Sequence, residues 1–294
     1  MRVTEKMIFE SSIEYTGRSR ENLAEAQNEV ASGSRVIHPG DDPVAASLAV
    51  EHTVDKARYT SIGNTAQRAA DELNAADTAL DGITTVANRA LQIATQFGND
   101  SYGATDRATA AVEVNGLFGQ ALSLLNTTYG GRYIFGGFKD NAPPFAADGT
   151  FVGDPNIRQV EVAPGLYQAA SLNADTIVRG GGTGADLMKT ISDLSTALAG
   201  NDASNIRAGL ANLNTCIAQL AAGRTQAGMA QDAFQAAVST SQSSVADETV
   251  KIGNLLDADI LDASTRLASA QYALNATLSA TAKTLSMSLV DKLG

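Results

Sequence analysis

The sequence predicts a mainly α-helical protein: a long antiparallel helical bundle or coiled coil formed by the N- and C-terminal segments, with a small β-rich insertion in the middle. Three observations predict it. Apolar residues recur at helical spacing towards both ends of the chain. Glycines and prolines, which interrupt helices, gather between them. Trp is absent and aromatics make up only 5% of the 294 residues, so a compact globular core is not the obvious plan. Ala, Leu, Ser, Thr, Asn and Gln dominate instead, which suits helices packed through small side chains.

The first helix is expected over about Thr4 to Ser32. Glu10, Glu14, Arg18, Glu21, Glu25 and Glu29 recur at steps of three or four and share a face, expected to be solvated. Ile8, Tyr15, Leu23, Ala26 and Val30 mark roughly the opposite, apolar face. Gly33 suits a helix C-cap. Pro39, Gly40 and Pro43 then mark a connection, in which Asp41 or Asp42 can cap a new helix with Pro43 in its first turn. That second helix runs to about Phe97, interrupted only by Gly63 and Gly82, with a stripe of Leu73, Leu80, Ile83, Ala87, Ala94 and Phe97. Such length suggests a rod. A third helix is expected over about Thr105 to Thr128.

The texture changes at Tyr129. Gly130-Gly131-Arg132-Tyr133-Ile134-Phe135-Gly136-Gly137 reads as a short strand between glycine turns. Residues 157–162 alternate partially like a strand, Pro164-Gly165 turns the chain, and Ile177-Val178 reads as a last short strand. Residues 130–184 are therefore expected to form the β-rich insertion. Helices resume over about Ala185 to Ala199 and from near Ala203 to about Ile252.

Towards the C-terminus, Leu256, Leu267, Leu278 and Leu289 stand eleven residues apart, and Ile252, Ala263, Leu274 and Leu285 repeat the period. Eleven residues in three turns keep a stripe nearly straight along a helix, which suits long, almost parallel helices. From Ala263 to Val290 only Arg266 and Lys283 are charged. A helix with one whole face in water normally carries more charge, so this one is expected to be surrounded by copies of itself. Pairing N-terminal with C-terminal helices buries the stripes most simply. The expected divisions are residues 1–42 with 253–294 as a terminal coiled coil, 43–129 with 185–252 as a helical rod, and 130–184 as the insertion.

The net charge of −11 argues against nucleic acid and against docking on anionic lipid. The start lacks the apolar run of a secretory signal, and no stretch is long and apolar enough to span a membrane. Nothing supports catalysis or a cofactor. Cys216 reads as a small buried helix residue, and His38 and His52 are far from it in sequence. Two scattered histidines and one cysteine supply too few soft ligands for a metal set. Gly180-Gly181-Gly182-Thr183-Gly184 lacks the lysine of a phosphate loop and reads as a β-to-helix connection. Asp41-Asp42 reads as a cap rather than a carboxylate pair. Asp257, Asp259 and Asp262 lack the glycine turn and distal Glu of a calcium loop and read as a solvated helix stretch.

Gln27, Ser32-Gly33-Ser34-Arg35-Val36, Pro39 and Asp41-Asp42-Pro43-Val44-Ala45-Ala46 resemble the N-terminal signature of the flagellin superfamily. Flagellins usually continue the double Asp as Ala-Ala-Gly-Leu. The hook–filament junction branch (the hook-associated protein 3 family) usually has Asp-Asp-Pro-x-Ala-Ala, as here. Gly131-Arg132-Tyr133-Ile134-Phe135-Gly136-Gly137, Pro144-Phe145 and Phe151-Val152-Gly153-Asp154 resemble that branch's entry into its β domain. The end, Ser286-Met287-Ser288-Leu289-Val290-Asp291-Lys292-Leu293, is similar to its terminus, with departures at Met287 and Lys292. The resemblance covers about residues 1–155 and 245–294.

The resemblance implies a structural subunit of the bacterial flagellum, outside the cell, exported unfolded by the flagellar type III apparatus without a cleaved signal peptide. It implies as partners copies of itself, the first hook-associated junction protein on the hook side, flagellin on the filament side, and an export chaperone at the C-terminal helix. It implies no nucleic acid and no membrane. Terminal helices from many copies would form an inner tube. The expected assembly interface is the set of stripes Ile8, Tyr15, Leu23 and Val30 with Leu256, Leu267, Leu274, Leu278, Leu285 and Leu289. The uncharged face of residues 263–290 would line a channel, and the ends would be loose in the monomer and order on assembly.

Overall fold

The computed structural model describes the backbone of residues 2–293 and the side chains of residues 6, 7 and 9–283. The chain runs α1 (Arg2–Ser32), α2 (Pro43–Phe97), α3 (Ala104–Leu125), β1 (Thr128–Tyr129), β2 (Arg132–Tyr133), β3 (Gln159–Ala163), β4 (Leu166–Ala169), α4 (Ala174–Arg179), α5 (Leu187–Ala199), α6 (Ala203–Leu256) and α7 (Ile260–Leu293). The expected class is the observed one: mainly helical, with two small antiparallel sheets, β1–β2 and β3–β4. The chain divides into two compact units, residues 1–58 with 244–294 and residues 59–243.

The central unit carries a conventional core. Leu73, Leu80, Ile83 and Ile93 of α2 are buried with Val114 and Leu125 of α3, Leu187, Ile191 and Leu198 of α5, and Ile206, Leu213, Leu220 and Phe234 of α6. Full burial of such a side chain stabilises by about 1.5–3 kcal/mol. Alanines at 66, 69, 76, 87, 90 and 94 fill the rest of the α2 face and bring helices close. Gly63 and Gly82 do not interrupt α2. A Cβ on Gly63 would lie 3.1 Å from the Ser241 Cβ, and one on Gly82 would lie 3.0 Å from a Leu124 methyl. Each glycine costs the helix about 1 kcal/mol relative to alanine. Here each occupies a point of close helix approach.

The insertion differs from its expectation in four places. The expected strand at 130–137 is a hairpin instead: Gly130 and Gly131, both at positive φ, turn β1 onto β2, with Thr128 opposite Tyr133. The third helix accordingly stops at Leu125, before that hairpin begins. Ile134 and Phe135 are buried but belong to no strand. The strand expected at 157–162 is β3, and the Pro164-Gly165 turn leads into β4, which the sequence did not announce. Ile177-Val178 is not a strand. Asn173 caps a short helix by accepting from the Thr176 N–H, Gly180 closes it in the left-handed region, and both apolar side chains turn into the core. The glycine run therefore joins helix α4 to helix α5, where Asp186 caps by accepting from the Lys189 N–H.

In the terminal unit α1 packs on α7, and the start of α2 packs on the end of α6. The C-terminal stripe does not lie on one helix. The chain breaks at Asp257–Asp259, so Ile252 and Leu256 belong to α6 and the later members to α7. Asp259 starts α7 by accepting from the Leu261 N–H (2.9 Å) and the Asp262 N–H (3.4 Å), so it is a cap rather than part of a continuous solvated helix.

Candidate functional site: the paired termini

Two interhelical connections, α1 to α2 and α6 to α7, face each other in the terminal unit, and their backbones are bonded directly. Gly33 ends α1 at φ 70°, its N–H donating to the Glu29 carbonyl (2.9 Å). The next residues pair with the α6–α7 break: the Arg35 N–H donates to the Leu256 carbonyl (2.7 Å) and the Ala258 N–H to the Gly33 carbonyl (2.9 Å). The Arg35 side chain donates to the Leu255 carbonyl (2.9 Å) and to Asp42 (3.2 Å). Asp42 in turn caps α2 through the Ala45 N–H (3.0 Å). Asp41 holds the bend before it, accepting from the N–H groups of His38 (2.7 Å) and Ile37 (3.0 Å). These N–H donors, His38 foremost, hold the Asp41 carboxyl below its ordinary range. The Ala45 N–H and then Arg35 do the same for Asp42. Val36 is buried beneath. Ser32 to Val36 and Asp41 to Pro43 thus act as a clasp between the two ends of the chain.

Beyond the clasp α1 and α7 run side by side with little between them. Among the described residues, the buried apolar side chains of this unit are Ala26, Val36, Ala45, Ala49 and Ala263. The charged stripe on α1 is solvated at Glu10 and Glu14 but not at Glu29, which is 6% exposed and bonded to Arg266 of α7 (2.9 Å). The expected fully solvated face is corrected there: at Glu29 the stripe is covered by α7. Ser19 and Thr277 share a hydrogen bond (3.3 Å) nearer the open end.

Of the stripe residues expected at an interface, Leu23, Val30, Leu256, Leu267 and Leu274 are half-buried, and Tyr15 and Leu278 are exposed. The side chains of Ile8, Leu285 and Leu289 lie outside the described residues. A further set, missed in the sequence, is exposed as well. Leu261 is 80% and Tyr272 77% accessible, and Met7, Phe9 and Ile13 stand out from α1. Leu261 and Tyr272 are eleven residues apart, so they share a face by the same period that marks Leu267 and Leu278. Five residues separate Leu267 from Tyr272, about 140° around the helix at 100° per residue. Helix α7 therefore has two apolar faces, one turned to α1 and one to solvent.

Other candidates resolve differently. Cys216 is buried in the core of the central unit, where burial pushes its thiol up to about 11, far from a nucleophile's range. His38 lies in the bend between Val36 and Asp41, where its backbone N–H and not its ring is bonded to Asp41. His52 is brought together with Asp55 and Glu248, a grouping that sequence distance concealed. Among the described residues no helix is long and apolar enough to cross a membrane.

Comparison with known proteins agrees with this geometry. Residues 5–140 match the family described as the bacterial flagellin N-terminal helical region. The flagellar hook-associated protein 3 of Escherichia coli is 26% identical over 265 residues, covering 87% of this chain and 80% of that protein. The Salmonella typhimurium protein of the same name is 30% identical over 162 residues, covering 54% of this chain and 51% of its own length. A Vibrio parahaemolyticus structure, described as a candidate flagellar hook-associated protein, superposes with a TM-score of 0.67 at 18% identity, over 74% of this chain and all of that one. That superposition establishes a common fold.

Proposed function

We propose that this chain, whose residues 5–140 match the flagellin N-terminal family, is a structural subunit of the bacterial flagellum at the junction between hook and filament, and does no chemistry. Two of its relatives are named flagellar hook-associated protein 3, which supports a place next to the hook. The observation that supports the mechanism is the second apolar face of α7. In water the Leu261 and Tyr272 side chains are left mostly uncovered. In a tube of copies each α7 has neighbours on both sides, so both faces are buried.

The same reading assigns the parts. Residues 1–42 with 253–294 form the inner tube, and their stripes, from Ile8 and Tyr15 to Leu285 and Leu289, meet neighbouring copies. Residues 43–129 with 185–252 form the outer helical layer, and 130–184 the lateral insertion. The partners are copies of itself, the first hook-associated protein and flagellin, with a chaperone over the C-terminal helix before export through the type III apparatus. Gold-labelled antibody on isolated flagella is expected to mark one band where hook meets filament. Label along the whole filament would make this chain a filament subunit instead.

Ordering on assembly follows from how little the terminal unit buries. Fixing a backbone residue costs about 1–2 kcal/mol. A buried alanine returns only about one methyl group's worth of hydrophobic stabilisation, near 0.8 kcal/mol. Four of the five buried apolar side chains here are alanines. In the isolated monomer, amides in 9–32 and 260–283 are expected to exchange in seconds to minutes, while those in 66–94 and 206–237 stay protected for hours. Equal protection in both sets would show that the ends are already stable alone, and would remove the argument for folding on assembly.

A further inference from the structure

We propose that His52, Asp55 and Glu248 form a binding site for one divalent transition-metal ion of the zinc class, clipping the start of α2 to the end of α6. His52 and Asp55 are three residues apart and project from the same face of α2. Glu248 approaches from α6, with the His52 Nδ1 2.7 Å from its Oε2. One ligand atom from each of the three lies within 4.8 Å of the other two. A His and a carboxylate at i,i+3 on one helix, facing a carboxylate on another, is one part of the ligand set that ferritin-like helical bundles use for metals.

The geometry suits a small ion. Zinc binds nitrogen and oxygen at about 2.0–2.2 Å, which sets tetrahedral ligands about 3.4 Å apart. The His52–Glu248 pair need only open slightly from 2.7 Å, and the widest pair need close by about 1.4 Å, within reach of side-chain rotation. The donor set also discriminates. One imidazole and two carboxylates leave a fourth position for water, as zinc accepts, whereas calcium wants six to eight oxygens and magnesium a near-octahedral shell.

One neighbour fixes the direction of a ligand. The Lys251 ammonium donates to Glu248 Oε1 (2.7 Å), which orients the carboxylate and leaves Oε2 facing the imidazole. Such outer hydrogen bonds commonly fix a ligand's direction. Glu248 is only 6% exposed, which limits competition from water. Without metal, the His52–Glu248–Lys251 chain holds the two helices by hydrogen bonds alone. With metal, one strong clip joins them behind the clasp at Arg35 and Asp42.

The test is a zinc titration of the full, chelator-stripped chain against a competing chromophoric chelator, with hydrogen exchange as a second readout. The expected result is one zinc per chain, with slowed exchange in 43–58 and 244–256. His52→Ala should weaken binding at least about tenfold and abolish the slowing. His38→Ala, which removes the only other histidine, should change neither. Asp55→Asn repeats the test in a variant that keeps the His52–Glu248 bond, and circular dichroism verifies that each variant is folded. No zinc bound by the wild-type chain, zinc retained by His52→Ala, or equal loss in His38→Ala would overturn the proposal and leave a purely hydrogen-bonded contact.

Discussion

Replacing both Leu261 and Tyr272 with glutamate is expected to abolish motility and incorporation into the flagellum while leaving the purified monomer's melting temperature within about 4 °C of wild type. The two side chains are 80% and 77% accessible, so the monomer loses little burial when they change. Exposed substitutions away from special features usually fall within about 0.5 kcal/mol of neutral. In a ring of copies the outcome reverses. Each subunit would bring two carboxylates into an apolar contact, and an unpaired buried charge costs several kcal/mol. Because the same contact recurs at every subunit, the cost multiplies around the ring. Normal swimming, with the variant present in isolated flagella, would show that this face meets water in the assembly too. The control is Leu261→Met with Tyr272→Phe, which keeps the face apolar and is expected to support swimming.

That face shows what was legible in the sequence and what was not. The eleven-residue period is visible in Leu267 and Leu278, and the same arithmetic applied to Leu261 would have found Tyr272. What obscured it was the leucine series itself, which continues across the helix break at Asp257–Asp259 as though the chain were straight. The boundaries of α2 were legible because they are local: Asp42 caps, Pro43 starts, and no breaker follows. Gly33 was legible for the same reason, as a left-handed C-cap. Arg35 was not, because its partner carbonyl at Leu255 is 220 residues away and only the fold joins them. The strand expected at Ile177-Val178 failed because two β-branched residues carry too little local preference. Burial and the Asn173 cap decide that segment. Glu29 had the right spacing for a solvated stripe, and only the packing of α7 on α1 brings it under Arg266.

Arg107→Ala is expected to destabilise the central unit by about 3 kcal/mol, the largest single-residue loss among its polar side chains. Arg107 is 4% exposed, and it projects from α3 into the junction between the end of α2 and the α5–α6 turn. Its Nε donates to the Phe97 carbonyl (3.0 Å), Nη2 to the Asn99 carbonyl (2.9 Å) and Nη1 to Asn201 Oδ1 (2.6 Å). Phe97 and Asn99 lie where α2 ends and its last carbonyls have no partner within the helix, and a cation there also meets the negative end of the helix dipole. Asn201 stands at φ 54°, a strained position for a residue with a side chain, and the guanidinium holds it there. Hydrogen bonds to charged groups contribute about 1.5–3 kcal/mol each, and an oxygen left buried without a partner costs about 1–3 kcal/mol. Partial access of water to the enlarged site offsets some of this, hence about 3 kcal/mol rather than the sum. For a domain of this size that is a fall of roughly 6–12 °C in melting temperature. Arg107→Met keeps much of the side chain's bulk and should fall nearly as far, because the bonds and not the packing are lost. Arg107→Lys should recover only a minor part, since one ammonium cannot reach oxygens on two different segments as the planar fork does. A loss under about 1 kcal/mol in the methionine variant would mean that water satisfies the three oxygens equally well. The arginine's position would then reflect packing of its stem rather than its bonds.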